Sequence, residues 1–284
     1  MAPLIEPSDG ETYHADFRLS ITKALGDQLT EALKELRRAP LNDTSLGDLR
    51  DRPGVYQLYL GGEFVYVGKA ETTLPGRLRQ HQRKLSGRQN ISLEDVSFSC
   101  LYVAEDFSAL APEKLLINKY SQGGQIAWNN NGFGNKDPGR KRDHTAIKAN
   151  HFDKKFRIDL GRQVDGLSQG VIPLKALAKR VKDGLPFNFR YDVKKLGGVN
   201  VPVDVNDPVL TADEAFSLIA QHLPDSWQIV ALLGYVIMYP DSPAEYPSAW
   251  RYYRGSESFD TEPTVTAPGD IEEDEGSEDE EPEE

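Results

Sequence analysis

The residues best suited to chemistry lie together in residues 54–81, GVYQLYLGGEFVYVGKAETTLPGRLRQH. This stretch carries Tyr56, Tyr66, Lys69, Arg77 and His81. Phenol and imidazole groups exchange protons, and the planar fork of arginine matches two oxygens of a phosphate. Core packing alone does not require that mixture. Arg77 and His81 are four residues apart and therefore share one face of a helix. Further along, Glu113 precedes Leu116, Ile117 and Tyr120 by three, four and seven residues, which puts it on their apolar face. A carboxylate there is costly unless something positive, such as a metal ion, receives it.

These residues need elements to hold them. Residues 54–60 and 63–68 read as a β-hairpin around Gly61-Gly62. A two-residue loop would send the two tyrosines to opposite faces. A three-residue loop, Leu60-Gly61-Gly62, would pair Tyr59 with Glu63 and set Tyr56 directly opposite Tyr66. If both tyrosines serve one site, the three-residue loop is expected. Pro75-Gly76 opens a short helix to about Leu85, and residues 96–103 form a third strand with Val96, Phe98, Cys100 and Tyr102 on one side. Pro112 starts a helix to Tyr120.

The apolar stripe Phe17, Ile21, Leu25, Leu29, Leu33 and Leu36 predicts an amphipathic packing helix over 16–38, ended by Pro40. Residues 128–143 form a loop rich in Gly, Asn and Pro that ends in a basic cluster. A basic helix over 174–182, a hairpin over 190–205 around Gly197-Gly198, and a helix opened by the capping box of Thr211 and Glu214 follow. Residues 227–239 are a buried strand or a buried helix; periodicity does not decide.

Composition bounds the answer. The 284 residues carry a net charge of −12, yet residues 261–284 hold twelve acidic and no basic residues, so the body is balanced. That tail, from 256 onward, is expected to be disordered. The single cysteine, Cys100, excludes an internal disulfide and suits a reducing, cytoplasmic setting. The most apolar run, 229–239, is too short to span a bilayer, and the N-terminus lacks a secretory pattern, so no membrane partner is expected.

The ordered set of residues resembles the GIY-YIG nuclease superfamily. Gly54-Val55-Tyr56 is followed ten residues later by Tyr66-Val67-Gly68, then by Arg77, a helical Glu113 and Asn129. Tyr66-Val67-Gly68-Lys69-Ala70, Arg77 with His81, Ser97-Phe98-Ser99-Cys100, Trp128-Asn129 and the Gly132-Phe133-Gly134-Asn135-x-Asp137-Pro138-Gly139 run are similar to its type II restriction endonuclease branch, which includes enzymes cutting CCGCGG. The similarity covers about residues 50–142. Each residue taken singly has an ordinary structural use, such as a strand aromatic or a solvated charge; their joint order and spacing do not.

The resemblance implies Mg²⁺-dependent hydrolysis of DNA phosphodiester bonds. Tyr56 is the candidate general base and Arg77 the phosphate and transition-state stabiliser. Glu113 is the candidate ligand of one Mg²⁺ per active site, other divalent ions being possible. A tyrosine with a pKa of about 10 needs about three units of depression, roughly 4 kcal/mol, to act near neutral pH. Lys69 and His81 are the cations available for that. Tyr66 binds phosphate or positions the water. Asn129 fixes a hydrogen bond near the metal or the scaffold, with Asn130 and Asn131 as adjacent alternatives. Basic residues suited to the DNA backbone are Arg79, Arg83, Lys84, Asn135 (as a polar neighbour), Arg140, Lys141 and Arg142.

The expected fold is α+β: a small central antiparallel sheet flanked by helices, with an N-terminal helix and an additional C-terminal α/β region. The expected division is 1–49 arm and helix, 50–157 catalytic domain, 158–255 extension packed on the core, and 256–284 acidic tail. The expected partner is double-stranded DNA at a palindromic site, cut by a homodimer paired with a methyltransferase. A repair or homing nuclease and a catalytically silent DNA-binding protein are the competing readings.

Overall fold

The structure is a computed structural model that describes residues 21–103, 116–117, 126–134 and 139–266. It is a mixed α+β fold in which antiparallel sheets predominate. Helix α1 is described over Ile21–Lys34 and buries Leu33 against Val55 and Val67. It ends at Lys34, short of residue 38, and Arg38 donates its guanidinium to Gly62 O at 2.5 Å and lies 3.9 Å from the Tyr59 ring centre. Residues upstream of 21, including Phe17, lie outside the described part.

Strands β1 (Ala39–Pro40), β2 (Gly54–Leu60), β3 (Glu63–Ala70) and β4 (Val96–Tyr102) form an antiparallel sheet in the order β1-β4-β2-β3. Between β1 and β2 lies α2 (Asp43–Gly47), capped by the Asn42 side chain. Alternation divides the sheet. Val55 and Val67 face α1, while Tyr56, Leu58, Tyr66 and Phe98 face α3 (Leu74–Ser86). Thr73 caps α3 by accepting from Gly76 N, and proline sits in its first turn where no N–H is needed.

The hairpin register departs from the expected three-residue loop. Leu60 pairs with Glu63, so the loop is the two residues Gly61 and Gly62, with φ of 56° and 87°. Two successive positive φ angles suit a primed two-residue turn, which glycine adopts without penalty. The two tyrosines nevertheless reach the same face, because the ladder shifts between Leu58 and Tyr59. Val65 is the extra residue: Tyr66 pairs with Leu58 and Phe64 with Tyr59. A bulge at Val65 restores the parity that the loop alone would break. Tyr56 then stands opposite Gly68 rather than Tyr66.

The C-terminal part is built from β5 (Ile147–Lys148), β6 (Gly170–Pro173), β7 (Phe189–Tyr191), β8 (Pro202–Val205), β9 (Gln228–Leu232), β10 (Val236–Tyr239), β11 (Ala249–Arg254), β12 (Glu257–Asp260) and β13 (Val265–Thr266). Five of them make a second sheet in the order β12-β11-β9-β10-β7, with β10 and β7 parallel. Helices α4 (Leu174–Gly184) and α5 (Ala212–Gln221) cover one of its faces: Leu177, Val181, Phe216 and Ile219 share a core with Ile229, Val236 and Tyr253. The capping box of Thr211 and Glu214 is formed.

Three further points differ from or complete the sequence reading. Residues 227–239 are two strands, turning at Leu233-Gly234. The 190–205 hairpin does not form: Asp192 caps a helical turn by accepting from Lys195 N, and β7 and β8 then join different sheets. The tail does not begin at 256, since β12 pairs with β11 and β13 with β5. Residues 267–284 lie outside the described part.

The two halves meet through buried charge. Arg88, just after α3, donates to Asp153 Oδ1 at 2.8 Å, Phe156 O at 3.1 Å and Gly234 O at 3.2 Å. Arg142 donates to Asp153 Oδ2 at 2.8 Å. Arg83 donates to the carbonyls of Asp183 and Leu185 at 3.0 and 2.7 Å, and Ile158 N bonds to Leu233 O at 3.0 Å. Removing one partner of such a buried set leaves the others uncompensated. Asp153→Ala is therefore expected to destabilise the protein by about 3–5 kcal/mol in urea unfolding, and a loss below about 1 kcal/mol would contradict this account of the junction.

Candidate active site

Tyr56, Tyr66, Arg77 and His81 come together between β2, β3 and α3. The Tyr56 hydroxyl lies 2.6 Å from His81 Nε2, and both side chains are buried. The Tyr56 and Tyr66 rings are 6.1 Å apart between centres, and His81 sits 5.4 and 5.5 Å from the two. Four residues upstream on the same helix, Arg77 faces both tyrosines, whose oxygens interact with its guanidinium. Its Nη2 also donates to Gly134 O at 3.3 Å, while its Nε is a buried donor with no acceptor among the described residues.

Two glycines make the cluster possible. A Cβ at Gly68 would come 2.6 Å from Tyr56 Cζ and 2.8 Å from Tyr66 Cε1. The absent side chain is the space the Tyr56 ring occupies. Gly134, at φ +86°, similarly leaves room for the Tyr66 hydroxyl, since a Cβ there would come 3.0 Å from Tyr66 Cζ.

The electrostatics are specific. Burial first, and then the positive charges of Arg77 and Lys84, hold the His81 pKa well below its usual 6.5, so the imidazole is neutral at physiological pH. Burial opposes the charge on Arg77 as well, but the oxygens of Tyr56 and Tyr66 outweigh it and raise its pKa. The expectation that His81 acts as a cation on Tyr56 is therefore replaced: the cation beside the tyrosines is Arg77, and His81 is a neutral hydrogen-bond partner.

Lys69 is not part of the group. It pairs with Val55, on the α1 face of the sheet, and its ammonium lies 3.2 Å from Glu71. Strand alternation separates it from the face that carries Tyr56. Asn129 has a scaffold role. Its side chain accepts from Val67 N and donates to Val67 O, both at 2.9 Å, and so closes the exposed edge of β3. Asn131 is used differently, donating to Ala127 O and Asn150 O at 3.1 and 3.0 Å.

The predicted DNA contacts divide. Arg79 and Lys141 are exposed. Arg83 and Arg142 serve the junction described above, and Arg140 donates to Asp192 at 3.2 Å while lying 4.5 Å from the Tyr239 ring centre. Lys84 sits behind the site: its ammonium lies 4.9 Å from the Phe133 ring centre, and burial above all lowers its pKa to about 8. Asn135 lies outside the described residues.

Glu113 also lies outside them, although Leu116, three residues on, packs against Leu33, Val55 and Val67. Among the described residues no group of three His, Cys, Asp or Glu could hold a metal. The described donors contain phenols, a guanidinium and an imidazole but no carboxylate. A protein carboxylate for a metal would have to come from outside the described residues, where Glu113 lies.

Sequence reasoning missed Phe133 as a member of this group. Its ring stacks on His81 at 4.8 Å and 23° and meets Tyr66 edge-on at 4.9 Å. An aromatic between two glycines was visible, but nothing in the spacing says that the loop folds back onto α3.

Both His81 and His151 are held neutral in the fold, His151 with a pKa lowered to about 4, by burial above all. Once unfolded, each binds a proton below about 6.5. The stability that depends on their neutrality is thus present above that pH and lost as pH falls toward 4. The urea midpoint is expected to drop across this window, and a midpoint that stays level from pH 7 to 4.5 would contradict the assignment.

Residues 61–156 match the family model described as Eco29kI GIY-YIG domain, roughly a third of the chain. No curated protein matches the chain. The match opens at the turn after β2, so the first half of the signature, Gly54-Val55-Tyr56, lies just ahead of it and is joined to it by the β2–β3 ladder. The tyrosine pair, Arg77, His81 and Asn129 are arranged around that hairpin, and the matched segment is similar to the Eco29kI GIY-YIG domain.

Proposed function

We propose that this protein is a DNA-cleaving hydrolase, specifically a type II restriction endonuclease that uses Mg²⁺ to cut both strands of a palindromic site. The observation that carries the proposal is the Tyr56 hydroxyl 2.6 Å from a buried, neutral His81, with Arg77 against the same oxygen. That is a phenol with a neutral hydrogen-bond partner and a neighbouring cation to favour its ionised form, an arrangement suited to activating water beside a phosphodiester.

In this reading Tyr56 acts as the phenolate, held by the charge of Arg77 and by a hydrogen bond with neutral His81, and takes a proton from the attacking water to become the phenol. The new bond from water oxygen to phosphorus forms as the bond to the leaving deoxyribose oxygen breaks. Arg77 holds the phosphate oxygens and balances their growing charge; its Nε, which has no acceptor among the described residues, is a donor for one of them. Tyr66 presents its hydroxyl on the same side and orients the water or the phosphate. Mg²⁺, when held by Glu113, would supply further charge neutralisation and stabilise the leaving oxygen. Asn129 acts through Val67 and is a positioning residue.

Exposed Arg79 and Lys141 are the phosphate contacts that this reading retains. A palindromic site calls for a two-fold homodimer, and a restriction enzyme needs a cognate methyltransferase to protect the host. Among the described residues no helix is long and apolar enough to cross a membrane.

Incubating purified protein with plasmid and Mg²⁺ tests the reading: discrete fragments support it, nicking at branched structures favours a repair enzyme, and no cleavage favours a silent DNA-binding protein. Glu113→Ala is expected to abolish cleavage while leaving DNA binding in a mobility-shift assay, and retained cleavage would remove Glu113 from the metal site.

A further inference from the structure

The loop of residues 131–134 does more than pass near the site. Asn131 O accepts from Phe152 N at 2.8 Å, Gly132 O accepts from Lys84 Nζ at 3.4 Å, and Gly134 O accepts from Arg77 Nη2 at 3.3 Å. Gly132 and Gly134 have φ of +87° and +86°, a conformation that side-chain-bearing residues rarely adopt. Between them Phe133 is driven inward until it is 1% exposed. Its ring touches two of the four clustered side chains, His81 face-on and Tyr66 edge-on, and Trp128 and Phe152 enclose it at 4.7 and 4.8 Å. Lys84 lies 4.9 Å from its centre on a path to the Asp153 cluster, and Arg88 of that cluster donates to Gly234 O in the C-terminal part.

We propose that Phe133 is a positioning residue of the active site. In this role its ring is the plate that fixes the His81 imidazole against the Tyr56 hydroxyl, and Lys84 holds that plate in place from behind. The inference rests on the nuclease reading for its consequence in catalysis, but not for the geometry it asserts. A stacked ring removes the rotation of His81 about its χ2 angle, so one ring nitrogen stays aimed at Tyr56. Lys84 ties the plate by a carbonyl hydrogen bond and a cation–π contact, while the charge of Asp153, itself bonded to Arg88, acts on its ammonium. The groups facing His81 are Tyr56 from β2, Tyr66 from β3, and Arg77 and Lys84 from α3. Those facing Lys84 are Asp153, His151, Arg88 and Arg142.

The test compares full-length Phe133→Leu, Lys84→Met and Lys84→Arg with the parent chain. Side-chain ¹⁵N spectra of the histidines read the tautomer and order of His81 without DNA, and single-turnover cleavage and DNA affinity are measured beside them. Phe133→Leu and Lys84→Met are expected to give mixed or broadened His81 nitrogen signals. They should also slow single-turnover cleavage by up to about 100-fold, the scale of a small misplacement of catalytic groups, at unchanged DNA affinity. Lys84→Arg, which keeps the charge over the ring, is expected to restore both. If Phe133→Leu does not fold, the Lys84 pair decides alone. Unchanged His81 signals in the variants would overturn the proposal. So would cleavage lost only in proportion to DNA affinity. If the parent chain cuts no DNA, the nuclease reading fails, and the His81 spectra still decide the positioning role.

Discussion

The hydrogen bond between Tyr56 and His81 is the contact around which this structure is arranged. At 2.6 Å and out of water, it joins the central strand of the first sheet to the helix that follows the hairpin. His81 is held neutral in that bond by burial above all, and then by the two cations of its own helix, Arg77 and Lys84. An imidazolium in that position would meet Arg77 one turn before it and Lys84 three residues after. The same helix thus supplies both the charge that faces the phenol oxygens and the charge that keeps the imidazole neutral.

Holding two phenol rings, an imidazole and a guanidinium together takes space as well as contacts. Gly68 and Gly134 supply it, and the bulge at Val65 aims Tyr66 to the Tyr56 side. Asn129 then closes the free edge of β3 so that the strand carrying Tyr66 cannot slip. Behind this layer, Phe133, Lys84, Asp153 and Arg88 lead to the second sheet. Several arginines and lysines that a charge map would give to DNA are used instead to join the two halves. Basic composition reported a real cluster but not its purpose: Arg142 is paired with the buried Asp153, and Arg83 gives donors to two backbone carbonyls while its side chain stays exposed.

Much of the site was legible in the sequence because it is local. Residues 54–81 contain both strands, the turn and the helix, and the Arg77–His81 spacing was enough to place those two on one face. The glycine pair marked the turn but not its length, since deciding between two and three residues required knowing that a bulge at Val65 would offset the parity. Lys69 was misplaced for the reverse reason. Proximity in sequence suggested proximity to Tyr56, whereas an odd offset from Tyr66 puts it across the sheet. Phe133, the scaffold role of Asn129 and the use of Arg83, Lys84 and Arg142 were not legible, because each depends on which distant segment folds against it. In the C-terminal part, local signals such as the Thr211 capping box and the 174–182 helix held. The 190–205 hairpin failed, because Asp192 capped a helical turn before the strands could pair.

The most direct test of the account removes a single oxygen. Tyr56→Phe keeps the ring over Gly68 and leaves the aromatic contacts in place, so only the hydroxyl that meets His81 and Arg77 is lost. Under saturating enzyme with Mg²⁺, the single-turnover rate of DNA cleavage is expected to fall by about 10²–10⁴-fold, the range for loss of a general base, with DNA affinity unchanged. A variant that cleaves at the parent rate would show that the Tyr56–His81 hydrogen bond is a feature of packing and not of catalysis.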